Sequence, residues 1–226
     1  MSSQENSVPR RSVAVFDLDG TLTYRDTLLQ FLASFLRAHP WRALRLWRFP
    51  WTALCFVLVD RDRGQLKSRV IRMVMGGSSR ADVDTRAEEF VSGLMPRRRL
   101  RPGALAVLET HRAAGDRLVL LSASPDFYVP RIGQLLGFER TLCTEILWRG
   151  DRLDGDLKTP NRRGAEKSRC LEFLRAEYPG FGLVAYGNSA SDLDHLRHAD
   201  WGVLVNANAA ARGLAKKWQI PTANWT

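Results

Sequence analysis

The feature that most constrains this chain is an alternation. Short apolar runs rich in β-branched residues occur at 13–16, 118–121, 141–147, 183–186 and 202–205. Stretches with apolar residues three or four apart lie between most of them, at 104–114, 127–136, 165–177 and 192–199. Runs of four to seven apolar residues bounded by turn residues read as strands buried on both faces, and the intervening spacing reads as helices. Strand alternating with helix predicts an α/β fold, Rossmann-like, with a parallel sheet and helices on both faces. Glycine and proline punctuate the alternation at Gly115, Gly137, Pro179, Gly180 and Gly202. The stretch LWRGDRLDGDL at 147–157 predicts a hairpin turning near Arg149, Gly150 and Asp151.

Residues 25–100 interrupt this pattern. They read as helical at 27–38, at 41–59 with Pro50 inside, at 64–75 and at 79–94, which predicts an all-helical insertion after the first strand. The expected division is a disordered tail at 1–11, an α/β core at 12–24 and 101–226, and a helical cap at 25–100. Charge follows the same division. The whole chain carries +10, and 15 basic against 7 acidic residues put +8 of it in 25–100. Such a surface attracts phosphorylated metabolites, nucleic acid or acidic membrane. The longest uncharged run there, Phe49 to Val59, has 11 residues, short of the roughly 20 that cross a bilayer. The N-terminus lacks the apolar stretch of a secretory signal, so a cytoplasmic protein is expected. Cys55, Cys143 and Cys170 fit no metal or redox spacing and read as free buried thiols.

In open α/β sheets the ligand crevice lies beyond the carboxyl ends of the strands, and four polar clusters fall there. In Asp17-Leu18-Asp19-Gly20-Thr21, two carboxylates leave the first strand together, and Gly20 lets backbone approach an anion. One carboxylate beside a divalent metal can attack phosphorus, and the other can protonate a leaving oxygen and later deprotonate water. An acidic turn cap would look the same. In Ser122-Ala123-Ser124, a hydroxyl and backbone N–H groups can hold phosphate oxygens, while Ser124 before Pro125 also fits a helix N-cap. Lys167 opens a helix where it could neutralise a phosphoryl group or simply be solvated. In Tyr186-Gly187-Asn188-Ser189-Ala190-Ser191-Asp192, Asn188 and Asp192 offer the oxygen ligands that Mg²⁺ favours, and Asn188 or Ser189 could equally cap the next helix. His195 and His198 lack a third imidazole or thiol and are expected on an exposed helix face.

Taken in order, the four clusters resemble those of the haloacid dehalogenase superfamily of phosphatases, most closely its phosphoserine phosphatase-like subfamily. The resemblance runs from about Val13 to Pro221, with LSASPDFYVP (121–130) and AYGNSASDLDHL (185–196) its most specific stretches. It implies Asp17 as nucleophile and Mg²⁺ ligand. Asp19 would be the general acid/base and give its carbonyl to the metal. Ser122 and Lys167, helped by N–H groups near Gly20 and Ala123, would grip the phosphoryl oxygens. Asp192 would hold the metal's water shell and Lys167. Asn188 stands where many members have a metal-binding aspartate, so weaker metal binding is expected.

The cap bears on the substrate. Asp26 falls where phosphoserine phosphatases carry a glutamate that holds the substrate's amino group, and its shorter side chain weakens that assignment. Trp41, Trp47, Phe49 and Trp51 stand among Arg42, Arg45 and Arg48, followed by apolar residues to Val59. That mixture suits an anionic membrane interface, and equally a small cap core or a dimer contact. The cap resembles that of phosphatidylglycerophosphatase C in its length and in the placement of its apolar segment. A lipid or other hydrophobic phosphomonoester at the inner face of the membrane is the expectation. A soluble phosphoserine-like metabolite is the alternative, and a catalytically weak phosphate-binding module the third. No nucleic-acid motif is present.

Overall fold

The computed structural model describes residues 11–48, 62–94 and 99–225. Its central sheet has six strands: β1 (Ser12–Phe16), β2 (Arg117–Pro125), β3 (Arg140–Thr144), β6 (Gly182–Gly187), β7 (Trp201–Val205) and β8 (Thr222–Ala223). They lie in the order β3-β2-β1-β6-β7-β8, all pairs parallel. β1 is central, and the order reverses beside it, where a doubly wound sheet opens a crevice.

Period-two alternation in β1 divides the core. Ala14 and Phe16 face a cluster with α4 (Pro102–Ala113) and α5 (Val129–Leu135), and Val13 and Val15 face α6 (Ala165–Glu177), α7 (Leu193–His198) and α8 (Ala209–Lys217). Both faces of the sheet are therefore covered, as the continuous apolar runs predict. The run 141–147 is not one strand. β3 ends at Thr144, and Ile146 starts a separate hairpin, β4 (Ile146–Arg149) with β5 (Arg152–Leu157). Ile146 N–H donates to Asp126 Oδ1 at the break (3.2 Å).

Between β1 and α4 lie α1 (Thr27–Ala38), a 3₁₀ helix (Pro40–Arg48), α2 (Arg63–Met75) and α3 (Arg80–Ser92). Asp26, Asp62 and Ser79 cap the three α-helices by accepting from Leu29, Gly64 and Asp82 N–H. The chain enters and leaves this helical layer through one antiparallel bridge, Thr23 to Leu100, flanked by Tyr24 N–H to Arg99 O and Arg101 N–H to Leu22 O. The helix expected at 41–59 begins instead as the 3₁₀ turn, and its remainder lies outside the described residues. So does the tail expected at 1–11, save Arg11, whose carbonyl accepts from Gly182 N–H beside β6. Cys143 and Cys170 are buried free thiols, and Cys55 falls outside the described residues.

Candidate active site

Each of the three core strands that meet at the crevice ends in a local irregularity. After β1 the chain makes a tight turn, Leu18–Leu22, closed by Thr23 N–H to Leu18 O. Gly20 has φ +83°, and the Asn188 side-chain amide sits where a Cβ would be, so position 20 excludes side chains on both counts. The β2–β3 register breaks between Leu121 and Pro125, which frees Ser122, Ala123 and Ser124 from the ladder. After β6, the 188–191 loop folds around Asp192, whose Oδ2 accepts from Asn188 N–H, Ser189 N–H and Ser189 Oγ.

The loops after β1 and β6 converge with α6 on one buried ammonium. Lys167 Nζ donates to Asp17 Oδ1 (2.6 Å) and to Asp192 Oδ1 (2.8 Å), and Thr21 Oγ1 donates to Asp17 Oδ2 (2.9 Å). Burial alone would lower the Lys167 pKa, but the two carboxylates hold it above its ordinary value. Burial raises the Asp17 carboxyl to about 7, with Lys167 opposing and Asp192 and Asp19 adding to it. Burial would raise the Asp192 carboxyl, but Lys167, His195 and Ser189 together hold it below the usual range.

Asp19 is held separately. Its Oδ1 accepts from Thr27 N–H and Thr27 Oγ1 (both 2.6 Å), and its Oδ2 accepts from Ser124 Oγ (2.6 Å). Thr27 Oγ1 also meets Tyr128 OH (3.0 Å). Burial, with Asp26 nearby, raises the Asp19 pKa against the lowering by these donors.

Asp17, Asp19, Gly20, Asp26, Ala123, Lys167, Asn188 and Asp192 all line one cleft of about 720 Å³. Ser122 does not line it. Its hydroxyl is fully buried and accepts from Ser124 N–H (3.0 Å). Asp26 is engaged as the α1 cap. The site holds groups that local sequence did not announce. Ser124 binds Asp19 rather than capping a helix, since α5 starts only at Val129. Lys67, from α2, donates to Ala123 O and Asn161 Oδ1 (both 2.5 Å), and burial lowers its pKa to about 8. His195 does not lie on the exposed helix face expected of it. It is 1% exposed, with Nδ1 3.9 Å from Asp192 Oδ1, and burial pushes its pKa down to about 3. Only His198 lies on the exposed face.

The donor set suits a hard divalent cation. Asp17 and Asp192 carboxylates, the Asn188 amide and the Asp19 carbonyl are all oxygen donors. Two buried carboxylates sharing one lysine, with Asp19 beside them, leave negative charge that a divalent ion would offset. Among the described residues, no three His, Cys, Asp or Glu side chains form a metal cluster, and Asn188 adds an amide oxygen to the carboxylates. None of the described helices is long and apolar enough to cross a membrane.

A parallel sheet with helices on both faces carries an inserted helical layer, and a lysine-bridged pair of aspartates sits beyond its strand ends. The chain belongs to the haloacid dehalogenase-like hydrolases, whose family pattern it matches over residues 14–197. It is 33% identical over 194 residues to Protein CicA of Caulobacter vibrioides, covering 83% of each chain. It is 24% identical to a probable phosphatase of Mycobacterium tuberculosis over 223 residues, 95% of this chain and 75% of that one. In fold it resembles a protein of unknown function from Bordetella pertussis, with TM-score 0.80 at 22% identity over 96% and 99% of the two chains. It also resembles a phosphoserine phosphatase in a phospho-aspartyl intermediate analogue form, with TM-score 0.65 at 15% identity over 96% and 94%.

Proposed function

We propose that this chain hydrolyses phosphomonoesters through an aspartyl phosphate on Asp17, and that its preferred leaving group has an apolar body. The observation that carries the chemistry is the convergence of Asp17, Asp192 and Lys167, with Asp19 held on a separate network beside them. An Asp17 oxygen attacks phosphorus, the phosphorus–oxygen ester bond breaks, and the Asp19 proton passes to the leaving oxygen. Water then attacks the aspartyl phosphate, gives its proton to Asp19, and frees phosphate and Asp17. A carboxyl of raised pKa suits the first proton transfer. Lys167 and the backbone near Gly20 and Ala123, which line the cleft, receive the phosphoryl oxygens, while the buried Ser122 hydroxyl holds the Ser124 backbone. Mg²⁺, held by Asp17, the Asp19 carbonyl, Asn188 and Asp192, would supply positive charge opposite those oxygens.

The leaving-group reading rests on the cleft walls. α1 and α2 contribute Leu28, Leu29, Leu32, Leu66 and Val70, beside the basic Arg25, Arg63, Lys67 and Arg163. This suits a hydrophobic phosphate that carries further negative charge, and a lipid phosphate such as phosphatidylglycerophosphate has that chemistry. The resemblance of the cap to phosphatidylglycerophosphatase C points the same way. We assign the core to 12–24 and 101–226 and the cap to 25–100, a division supported by the Thr23–Leu100 bridge. The similarity to phosphoserine phosphatase favours a second reading, a small soluble substrate. Against it, the Asp26 carboxylate already accepts from Leu29 N–H (3.0 Å).

The test is turnover of a chromogenic aryl phosphate with Mg²⁺, compared with Asp17→Asn, and acid-quench mapping of the phosphorylated residue. Phosphorus on any residue but Asp17, or full activity in Asp17→Asn, overturns the mechanism. A kcat/KM for phosphoserine above that for every apolar phosphomonoester overturns the leaving-group reading alone.

A further inference from the structure

We propose that the 3₁₀ helix Pro40–Arg48 docks this protein on anionic membrane. A 3₁₀ helix has three residues per turn, so residues three apart lie in one row. Trp41, Leu44 and Trp47 form such a row, and they are 62%, 77% and 79% exposed.

The helix is turned inside out relative to an ordinary amphipathic one. Arg42 and Arg45 reach back to the protein. Arg42 Nη1 donates to Val74 O (3.1 Å) and Gly76 O (3.2 Å), and Arg45 Nη1 donates to Gly76 O (3.0 Å), which satisfies carbonyls at the C-terminal end of α2. Arg42 also lies over the Phe35 ring at 5.6 Å, and Leu46 packs against the core. These contacts fix the rotation of the helix and aim the tryptophan row outward.

Charge selects the occupant. From Thr27 to Val59 the sequence holds four arginines and no aspartate or glutamate. Among the described residues no carboxylate forms an ion pair with Arg37, Arg42 or Arg45. Asp82, which pairs with His39 (3.0 Å), is an acid whose charge reaches Arg42, and tryptophan between an apolar surface and the more numerous arginines matches a bilayer interface bearing anionic head groups. A second copy of the chain fits less well. Two tryptophans and a leucine at these exposures offer roughly 500 Å², below the roughly 800 Å² per partner of a stable interface.

The row sits beyond the C-terminus of α1, while Thr27, at the N-terminus of that helix, touches Asp19. One helix of about 18 Å therefore separates surface from chemistry. The row orients the protein and does not touch the reacting atoms. The inference deepens the hydrophobic-substrate reading and rests on it only for its purpose, since docking and turnover are measured separately.

The test is flotation of the full chain with phosphatidylcholine vesicles, with and without phosphatidylglycerol. Flotation with the anionic vesicles, weakened by salt, is expected. The combined variant Trp41→Gln, Leu44→Gln, Trp47→Gln should lower vesicle affinity by about tenfold or more, with unchanged turnover of a water-soluble aryl phosphate. Three outcomes overturn the proposal: wild type that stays with the soluble fraction at low salt, a variant that floats as well as wild type, or a wild-type dimer that the variant abolishes. Brominated lipid gives a second readout that needs no variant. Tryptophan fluorescence should be quenched in anionic vesicles, and no quenching overturns the docking. Loss of turnover in wild type would instead overturn the hydrolase reading and leave the docking result intact.

Discussion

Thr27 donates twice to one oxygen of Asp19, through its backbone N–H and its hydroxyl, each at 2.6 Å. Thr27 is the first residue of α1, so the inserted helical layer directly sets the orientation of the proposed acid/base. Thr27→Val keeps the backbone bond and removes the hydroxyl. One hydrogen bond to a charged group contributes about 1.5–3 kcal/mol. Steady-state kinetics should show kcat reduced by about tenfold or more, with KM little changed. A rise in KM alone would contradict this positioning.

Lys167 holds two buried carboxylates at once. Lys167→Ala should cost about 3–4 kcal/mol of transition-state stabilisation, measured as a fall in kcat. The variant also leaves Asp17 and Asp192 buried without their cation, so stability should fall by about 3–5 kcal/mol in denaturant titration. Added Mg²⁺ should raise the Tm of the variant more than that of wild type. Lys167→Arg should not restore kcat, because a planar fork cannot replace a compact ammonium in a closed site.

Asn188→Asp adds a carboxylate to the candidate metal site. Calorimetric Mg²⁺ affinity should rise, by about tenfold. Unchanged affinity would remove position 188 from the ligand set.

Lys67 is half-buried, and desolvation lowers its pKa to about 8. It is charged below that pH and neutral above it, so its attraction for an anionic substrate disappears as pH rises through about 8. The KM for the phosphate ester should rise there. In Lys67→Arg that alkaline rise should vanish, since guanidinium keeps its charge.

Burial raises the Asp126 carboxyl to about 6 from its ordinary 3.8. The folded state thus binds more protons than the unfolded state between those values. Its stabilising effect is full at low pH and declines as pH rises through about 6. With partial exposure allowed for, the decline is about 1–2 kcal/mol. Denaturant titrations of Asp126→Asn across this range should lack that decline.

The strands, and the polar clusters at their ends, were legible because each is encoded within a few consecutive residues. Asp17, Lys167 and Asp192 could be singled out in that way, and the structure brings them together. The holder of Asp19 could not, because Ser124, Thr27 and Tyr128 are spread over about a hundred positions. His195 misled for a related reason. In a helix as short as Leu193–His198, two histidines three apart give no sign of which one turns inward. The 141–147 run misled too, because apolar residues on both sides of Glu145 conceal the point where the chain leaves the sheet.

The stitch between Thr23 and Leu100 joins the two ends of the helical layer before that layer begins. A loop closed at its base can be lengthened or exchanged at little entropic penalty to the sheet beneath it. Changes in length beyond the first turn of α1 therefore leave the strands undisturbed, whereas a change at Thr27 itself reaches Asp19.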